Sequence, residues 1–130
     1  MGKARPQTLV LDTGALIAFE RADERMRALL REALRAGAQL VVPAGVVGQV
    51  WRDGARQVPL RALLNGPTTI VSALDQALAE ASGTLCGRTG TSDVIDASVV
   101  LIARRERALV VTSDIDDLRN LDPALRLERI

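Results

Sequence analysis

Histidine and tyrosine are absent from the 130-residue sequence. That excludes imidazole acid–base catalysis, Ser-His-Asp triads and histidine metal ligands. Hydrolytic chemistry here must run on carboxylates, a metal, or Lys, Cys, Ser and Thr alone. Aromatic residues are nearly missing too: Phe19 and Trp51 are the only two, so the core must be built from Ala, Val and Leu. Cys86 stands alone and excludes an intrachain disulfide, which fits a reducing compartment. Lys3 is the one lysine, so the positive charge is almost entirely arginine. The net charge of +1 creates no global field for a polyanion, leaving local Arg patches as the route to nucleic acid. No apolar run reaches the roughly 18 residues of a membrane span. Residues 1–6 lack the apolar stretch of a signal peptide, so the expectation is a cytoplasmic protein without a membrane.

What is present is an alternation. Thr8-Leu9-Val10-Leu11, Leu40-Val41-Val42, Thr68-Thr69-Ile70-Val71 and Leu109-Val110-Val111 are short apolar runs. Unbroken runs of this length suit strands covered on both faces. Between them lie helical patterns. Met26, Leu29, Leu30, Ala33 and Leu34 recur at helical spacing from about Asp23 to Ala36. Val46, Val47, Val50 and Trp51 form a stripe from Gly45 to about Gly54. Pro59 opens a short helix through Leu64. Leu74, Leu78 and Ala81 predict a helix to Gly83, with a resumption to Gly87. Val94, Ile95, Ala97, Ser98, Leu101 and Ile102 predict the clearest helix, begun at Ser92 or Asp93 and ended by Arg104-Arg105-Glu106-Arg107. Leu125 to Ile130 offers a short fifth strand. The expectation is an α/β protein: one domain over 1–130, with a parallel sheet between two helix layers.

In such a sheet, sites form beyond the carboxyl ends of the strands. Asp12 ends the first strand and Asp114 the fourth, so both point to one rim. Asp93 and Asp96 share the first turn and one face of the intervening helix, which begins near that rim. Crowded carboxylates repel one another unless a cation neutralises them. Mg²⁺ and Mn²⁺ prefer such oxygen ligands and could activate water toward a phosphodiester. Each acid also fits a plainer role as a helix cap or turn residue.

The ordered motifs resemble the PIN domain family. Leu9-Val10-Leu11-Asp12-Thr13-Gly14-Ala15-Leu16-Ile17-Ala18 is similar to its opening. Asp93-Val94-Ile95-Asp96-Ala97 and Val110-Val111-Thr112-Ser113-Asp114 resemble its third and fourth acidic motifs. The segment from Val42 to Arg52 sits where the second falls. The resemblance spans nearly the whole chain. It implies a three-layer α/β/α fold with four or five parallel strands in the order 3-2-1-4-5. It implies a Mg²⁺- or Mn²⁺-dependent endoribonuclease, in which a metal-activated water attacks an RNA phosphodiester in line. The short bacterial forms are VapC-type toxins that pair with a VapB-type antitoxin and form homodimers. By position, Asp12, Asp96 and Asp114 are the implied metal-holding and catalytic acids, with Asp93 as an accessory acid. Thr13 and Thr112 are implied supports for carboxylates or waters.

One position departs from the family. Its usual second acid, Glu, is replaced by Gln49, which offers a carbonyl oxygen but neither charge nor base. Asp53, four residues on, is a candidate substitute; its competitor is a surface pair with Arg52 or Arg56. Arg52 and Arg56 would share a helical face with Gln49 and could meet phosphate, against the reading of a solvated face. Arg27, Arg31 and Arg35 form a surface row. Two functions remain in view: an active toxin nuclease, and a catalytically weakened PIN domain that binds RNA or its antitoxin. Other acidic-rim proteins fit poorly. A dehalogenase-type phosphatase wants a second Asp where Gly14 stands, and a receiver domain wants an Asp on the third strand.

Overall fold

The computed structural model describes residues 7–130, so the opening residues 1–6, read above for a signal, lie outside it. Among the described residues, no helix is long and apolar enough to cross a membrane. The sheet has five strands, all parallel: β1 (Thr8–Leu11), β2 (Gln39–Pro43), β3 (Thr69–Ser72), β4 (Leu109–Thr112) and β5 (Leu127–Arg129). Their order is β3-β2-β1-β4-β5, as the motif order implied, with the fifth strand present. The central strands β1, β2 and β4 are buried through Leu9, Val10, Leu11, Leu40, Val41, Val42, Val110 and Val111.

The edge strand departs from the expectation of two covered faces. Ile70 and Val71 of β3 are 48% and 44% exposed. An edge strand has one neighbour and incomplete helix cover, which an apolar run in sequence cannot reveal.

Seven helices are described: α1 (Thr13–Glu20), α2 (Glu24–Arg35), α3 (Ala44–Val50), α4 (Val58–Leu64), α5 (Gln76–Thr89), α6 (Val94–Glu106) and α7 (Ile115–Leu121). Helix α1 packs against α2, α3 and α4, while α5, α6 and α7 pack together and α6 crosses β1, β2 and β4. Helix α2 follows its pattern, with Asp23 accepting from Met26 N at 2.9 Å and Met26 and Leu30 buried. Leu34, at its far end, is 47% exposed instead and faces an apolar groove beside Phe19 and Leu63. Helix α5 runs unbroken through Gly83 and Gly87 to Gly90, where a positive φ of 73° ends it. The expected break at Gly83 is absent, since glycine lowers helix propensity by only about 1 kcal/mol and the packing of α5 on α6 outweighs it.

Helix α3 is shorter than its apolar stripe predicted. It stops at Val50, because Trp51 is extended at φ −69°, ψ 129°. The buried Gln57 side chain then captures the freed chain. Its Oε1 accepts from Arg52 N at 2.7 Å and Asp53 N at 2.9 Å, while its Nε2 donates to Val50 O and to Glu20. The stripe continued past the helix because Trp51 still packs inward, with the Arg61 guanidinium 5.3 Å from its ring centre.

Candidate active site at the carboxyl rim of the sheet

Strand register builds the site. Leu11 pairs with Val111, which sets Asp12 beside Thr112 at the ends of two adjacent strands. Thr112 is fully buried. Its Oγ1 donates to Asp12 Oδ2 at 2.5 Å and accepts from Asp114 N at 2.8 Å. One hydroxyl thus ties together two acids carried by β1 and β4. Asp12 Oδ1 accepts from Ala15 N at 2.9 Å and caps α1. The plain capping role therefore holds for Asp12, and the second oxygen is held as well. Burial pushes the Asp12 carboxyl above its ordinary value, opposed by the Thr112 and Ala15 donors and reinforced by the Asp114 charge.

Asp114 differs. It occupies the cap position of α7, yet its side chain makes no capping bond. Thr112 fixes its backbone and leaves its exposed carboxylate to other partners.

The third acid arrives from α6. Asp93 Oδ1 accepts from Asp96 N at 2.9 Å, so Asp93 is the cap of α6. Asp96 is half-buried, and its carboxyl is pushed up to about 7. Burial is the main cause, followed by repulsion from Asp93, Asp12, Asp114 and Asp117. The fold therefore places Asp96 within electrostatic reach of Asp12, Asp93 and Asp114. Gly45 brings α3 close to α6 here, since a Cβ at this glycine would fall 2.3 Å from Ile95 Cδ1. Arg104 and Asp122 pair at 2.8 Å and hold α6 to the end of α7.

Gln49 reaches the same neighbourhood through Thr13, whose hydroxyl donates to Gln49 Oε1. Three other residues do not arrive. Because α3 ends at Val50, Arg52, Asp53 and Arg56 do not continue the helical face of Gln49. The Arg52 guanidinium folds back onto Trp51 O at 2.7 Å and Gly48 O at 3.2 Å. Asp53 Oδ1 accepts from Ala55 N at 3.0 Å, and its Oδ2 lies 3.8 Å from Arg56 Nε on an exposed surface. The idea that Asp53 replaces the missing carboxylate fails on that geometry; the surface pair is what forms.

Sequence reading missed Asp117. It lines a cleft of about 480 Å³ with Asp93, Asp96 and Asn120. Its signal was available: Asp114 and Asp117 are three apart at the start of a helix, the spacing already used for Asp93 and Asp96.

The donor set is all oxygen, which suits Mg²⁺ or Mn²⁺ and not a soft metal. Among the described residues, no three acids, cysteines or histidines lie close enough to clasp an ion directly. Mg²⁺ retains several waters of its own, so acids set wider apart still fit it.

A parallel α/β sheet with acids gathered from β1, α6 and β4 defines an acidic-rim α/β protein. A profile of the PIN domain family matches residues 9–122, and the chain belongs to that family. No curated protein matches the sequence. Among solved structures, a chain of VapBC2 from Rickettsia felis, bound to a promoter DNA fragment, is similar with a TM-score of 0.70 at 18% identity. The match covers 95% of this chain and 99% of that one. A chain of FitAcB from Neisseria gonorrhoeae gives a TM-score of 0.62 at 18% identity, covering 92% and 95%. A chain of FitAB bound to a DNA fragment gives 0.63 at 15%, covering 93% and 94%.

Thr112 offers a direct check on this geometry. Thr112→Val leaves Asp12 Oδ2 and Asp114 N without their buried partner. The expected cost is about 2 kcal/mol in urea unfolding, with Mn²⁺ affinity about tenfold weaker. An unchanged midpoint and unchanged Mn²⁺ binding would remove Thr112 from the site.

Proposed function

We propose that the protein is a divalent-metal-dependent endoribonuclease and the toxin of a VapBC-type toxin–antitoxin pair. The observation that carries the reading is the convergence of Asp12, Asp96 and Asp114 at one rim, where burial first, and then repulsion from Asp93, Asp12, Asp114 and Asp117, raises Asp96 to about 7. A cation would relieve that repulsion, and the energy lost in gathering the acids becomes affinity for it. Asp12, Asp96 and Asp114 would hold Mg²⁺ or Mn²⁺, with Asp93 supporting through its position at the cap of α6. When bound, the ion supplies Lewis-acid chemistry, lowering the pKa of a water and offsetting charge on the phosphoryl oxygens.

The chain's own residues do the rest. Thr112 holds the Asp12 carboxylate in one orientation, and Ala15 N fixes its other oxygen. Asp114 keeps its carboxylate clear of the helix it begins. Thr13, the residue after Asp12, donates to the Gln49 carbonyl and orients it.

Support for the toxin role comes from the likeness to chains of VapBC2 and FitAB, each of which stands in a two-component assembly on DNA. The proposed partners are an RNA substrate, a VapB-like antitoxin and a second copy of this chain, in the cytoplasm. Gln49 favours a second reading, a PIN domain whose weakened metal site leaves binding as its main role. One experiment separates the two. Antitoxin-free protein is incubated with single-stranded and structured RNAs in Mn²⁺ or Mg²⁺, with and without EDTA. Cleavage that EDTA abolishes is expected. Intact RNA at every metal concentration would overturn the nuclease reading.

A further inference from the structure

A groove of about 480 Å³ runs from the acid rim along one side of α1. Thr13, Ile17 and Arg21 line one wall, four residues apart on one helical face, and Ser113 and Asp114 line the other. Gly14 lets the two walls meet, since a Cβ there would lie 2.0 Å from Ser113 Oγ. The eight steps from Thr13 to Arg21 span about 12 Å. A stacked nucleic-acid strand rises about 3.4 Å per nucleotide, so the groove is about three to four nucleotides long. Ile17 is 36% exposed midway and offers an apolar surface to a base or ribose. At the far end Arg21 is exposed and makes no salt bridge to a described residue. Asp23 is the acid beside it in the groove, and its Oδ1 is engaged by Met26 N.

We propose that Arg21 is a substrate-positioning residue that takes a backbone phosphate of single-stranded RNA, a few nucleotides from the phosphodiester at the acid rim. The inference rests on the nuclease reading above and assigns the direction in which the strand leaves the site. Asp114 stands at the rim end of the groove and Arg21, its one cation, at the other, where the neighbouring Asp23 is engaged by Met26 N; that suits a polyanion whose near phosphate is met through a cation and whose far phosphate is met by guanidinium. Arginine also suits the C-terminal end of α1 through the helix dipole; that role would affect folding and leave substrate binding unchanged.

The test is steady-state cleavage of a 12-nucleotide single-stranded RNA, with Mn²⁺ affinity measured alongside by calorimetry. Arg21→Gln is expected to raise KM about fivefold, with kcat and Mn²⁺ affinity within about twofold, and to flatten the log–log salt dependence of kcat/KM by about 0.7. Arg21→Lys should recover part of the loss. Arg31→Gln, the same charge change on the exposed face of α2, should leave KM unchanged. A dinucleotide substrate, too short to reach both ends, should erase the difference between Arg21→Gln and the unaltered protein. KM equal in the Arg21 and Arg31 variants would overturn the proposal, including the case in which Arg21 serves a protein partner. So would a fall in kcat accompanied by lost Mn²⁺ affinity. Absence of metal-dependent cleavage by the unaltered protein overturns the nuclease reading and this inference with it; cleavage insensitive to Arg21 overturns this inference alone.

Discussion

Asp96→Asn is expected to remove metal-dependent RNA cleavage, by about 10²-fold or more, while making the metal-free protein more stable at alkaline pH. Both effects follow from one cause. The Asp96 carboxyl titrates near 7 in the folded chain and near 3.8 once unfolded, because burial and four neighbouring acids disfavour its charge. Between those values the folded state binds more protons. The stability carried by the protonated form is fully present below about pH 3.8 and is lost as pH rises through about 7. Asparagine cannot ionise and suffers no such loss. The variant should therefore melt higher than the unaltered protein at pH 8, by roughly 2–5 °C given that the half-buried group is partly screened by solvent. The gain should vanish near pH 4. Saturating Mn²⁺ should raise the melting temperature of the unaltered protein alone. Thermal melts across pH, with and without Mn²⁺, check all three points. A variant that melts lower at pH 8 would show that the setting of Asp96 does not disfavour its charge.

Gln49→Glu is the second large expected effect. Thr13 donates to Gln49 Oε1, and a carboxylate oxygen in the same place accepts that bond equally well. The geometry is thus retained and one negative charge is added against Thr13, the residue after Asp12. Mn²⁺ affinity should tighten about tenfold, and cleavage at subsaturating Mn²⁺ should rise by a similar factor. Metal-free stability at pH 8 should fall, since a further acid joins the repelling group. Calorimetric titration and cleavage assays across Mn²⁺ concentration measure this. Unchanged affinity would mean that position 49 stands outside the metal's field, and that the departure from the family pattern carries no functional weight.

How far these residues were legible in sequence varies with the physics behind each. Asp12 and Asp114 were legible because each terminates an apolar run, and parallel strands put their carboxyl ends on one side. Asp96 was legible from its three-residue step after Asp93, although the same step makes Asp93 a cap, and the structure shows that bond. The Thr112 bridge was not legible. It depends on a register in which Leu11 faces Val111, and no local pattern encodes the pairing of strands 100 residues apart. Asp53 misled for the opposite reason. Helical spacing placed it on the face of Gln49, yet the buried Gln57 amide captures the backbone at Arg52 and Asp53 and ends the helix first. The exposed Ile70 and Val71 show the same limit, since an edge strand and a central one can share one apolar run. Arg21 lay outside every motif; it matters through the wall it shares with Thr13, which appears only once α1 is set against the turn at Ser113.

Asp12, Asp96 and Asp114 are proposed to hold one divalent cation between them. Calorimetric titration with Mn²⁺ at pH 7, in two buffers of different ionisation enthalpy, tests this most directly. Saturable binding with proton release is expected, because burial and neighbouring acids raise both Asp96 and Asp12 and each must be ionised to ligate. That binding should be lost in Asp12→Asn, whose Oδ1 can still cap α1 through Ala15 N. No saturable binding, or binding that Asp12→Asn leaves intact, would contradict the proposal.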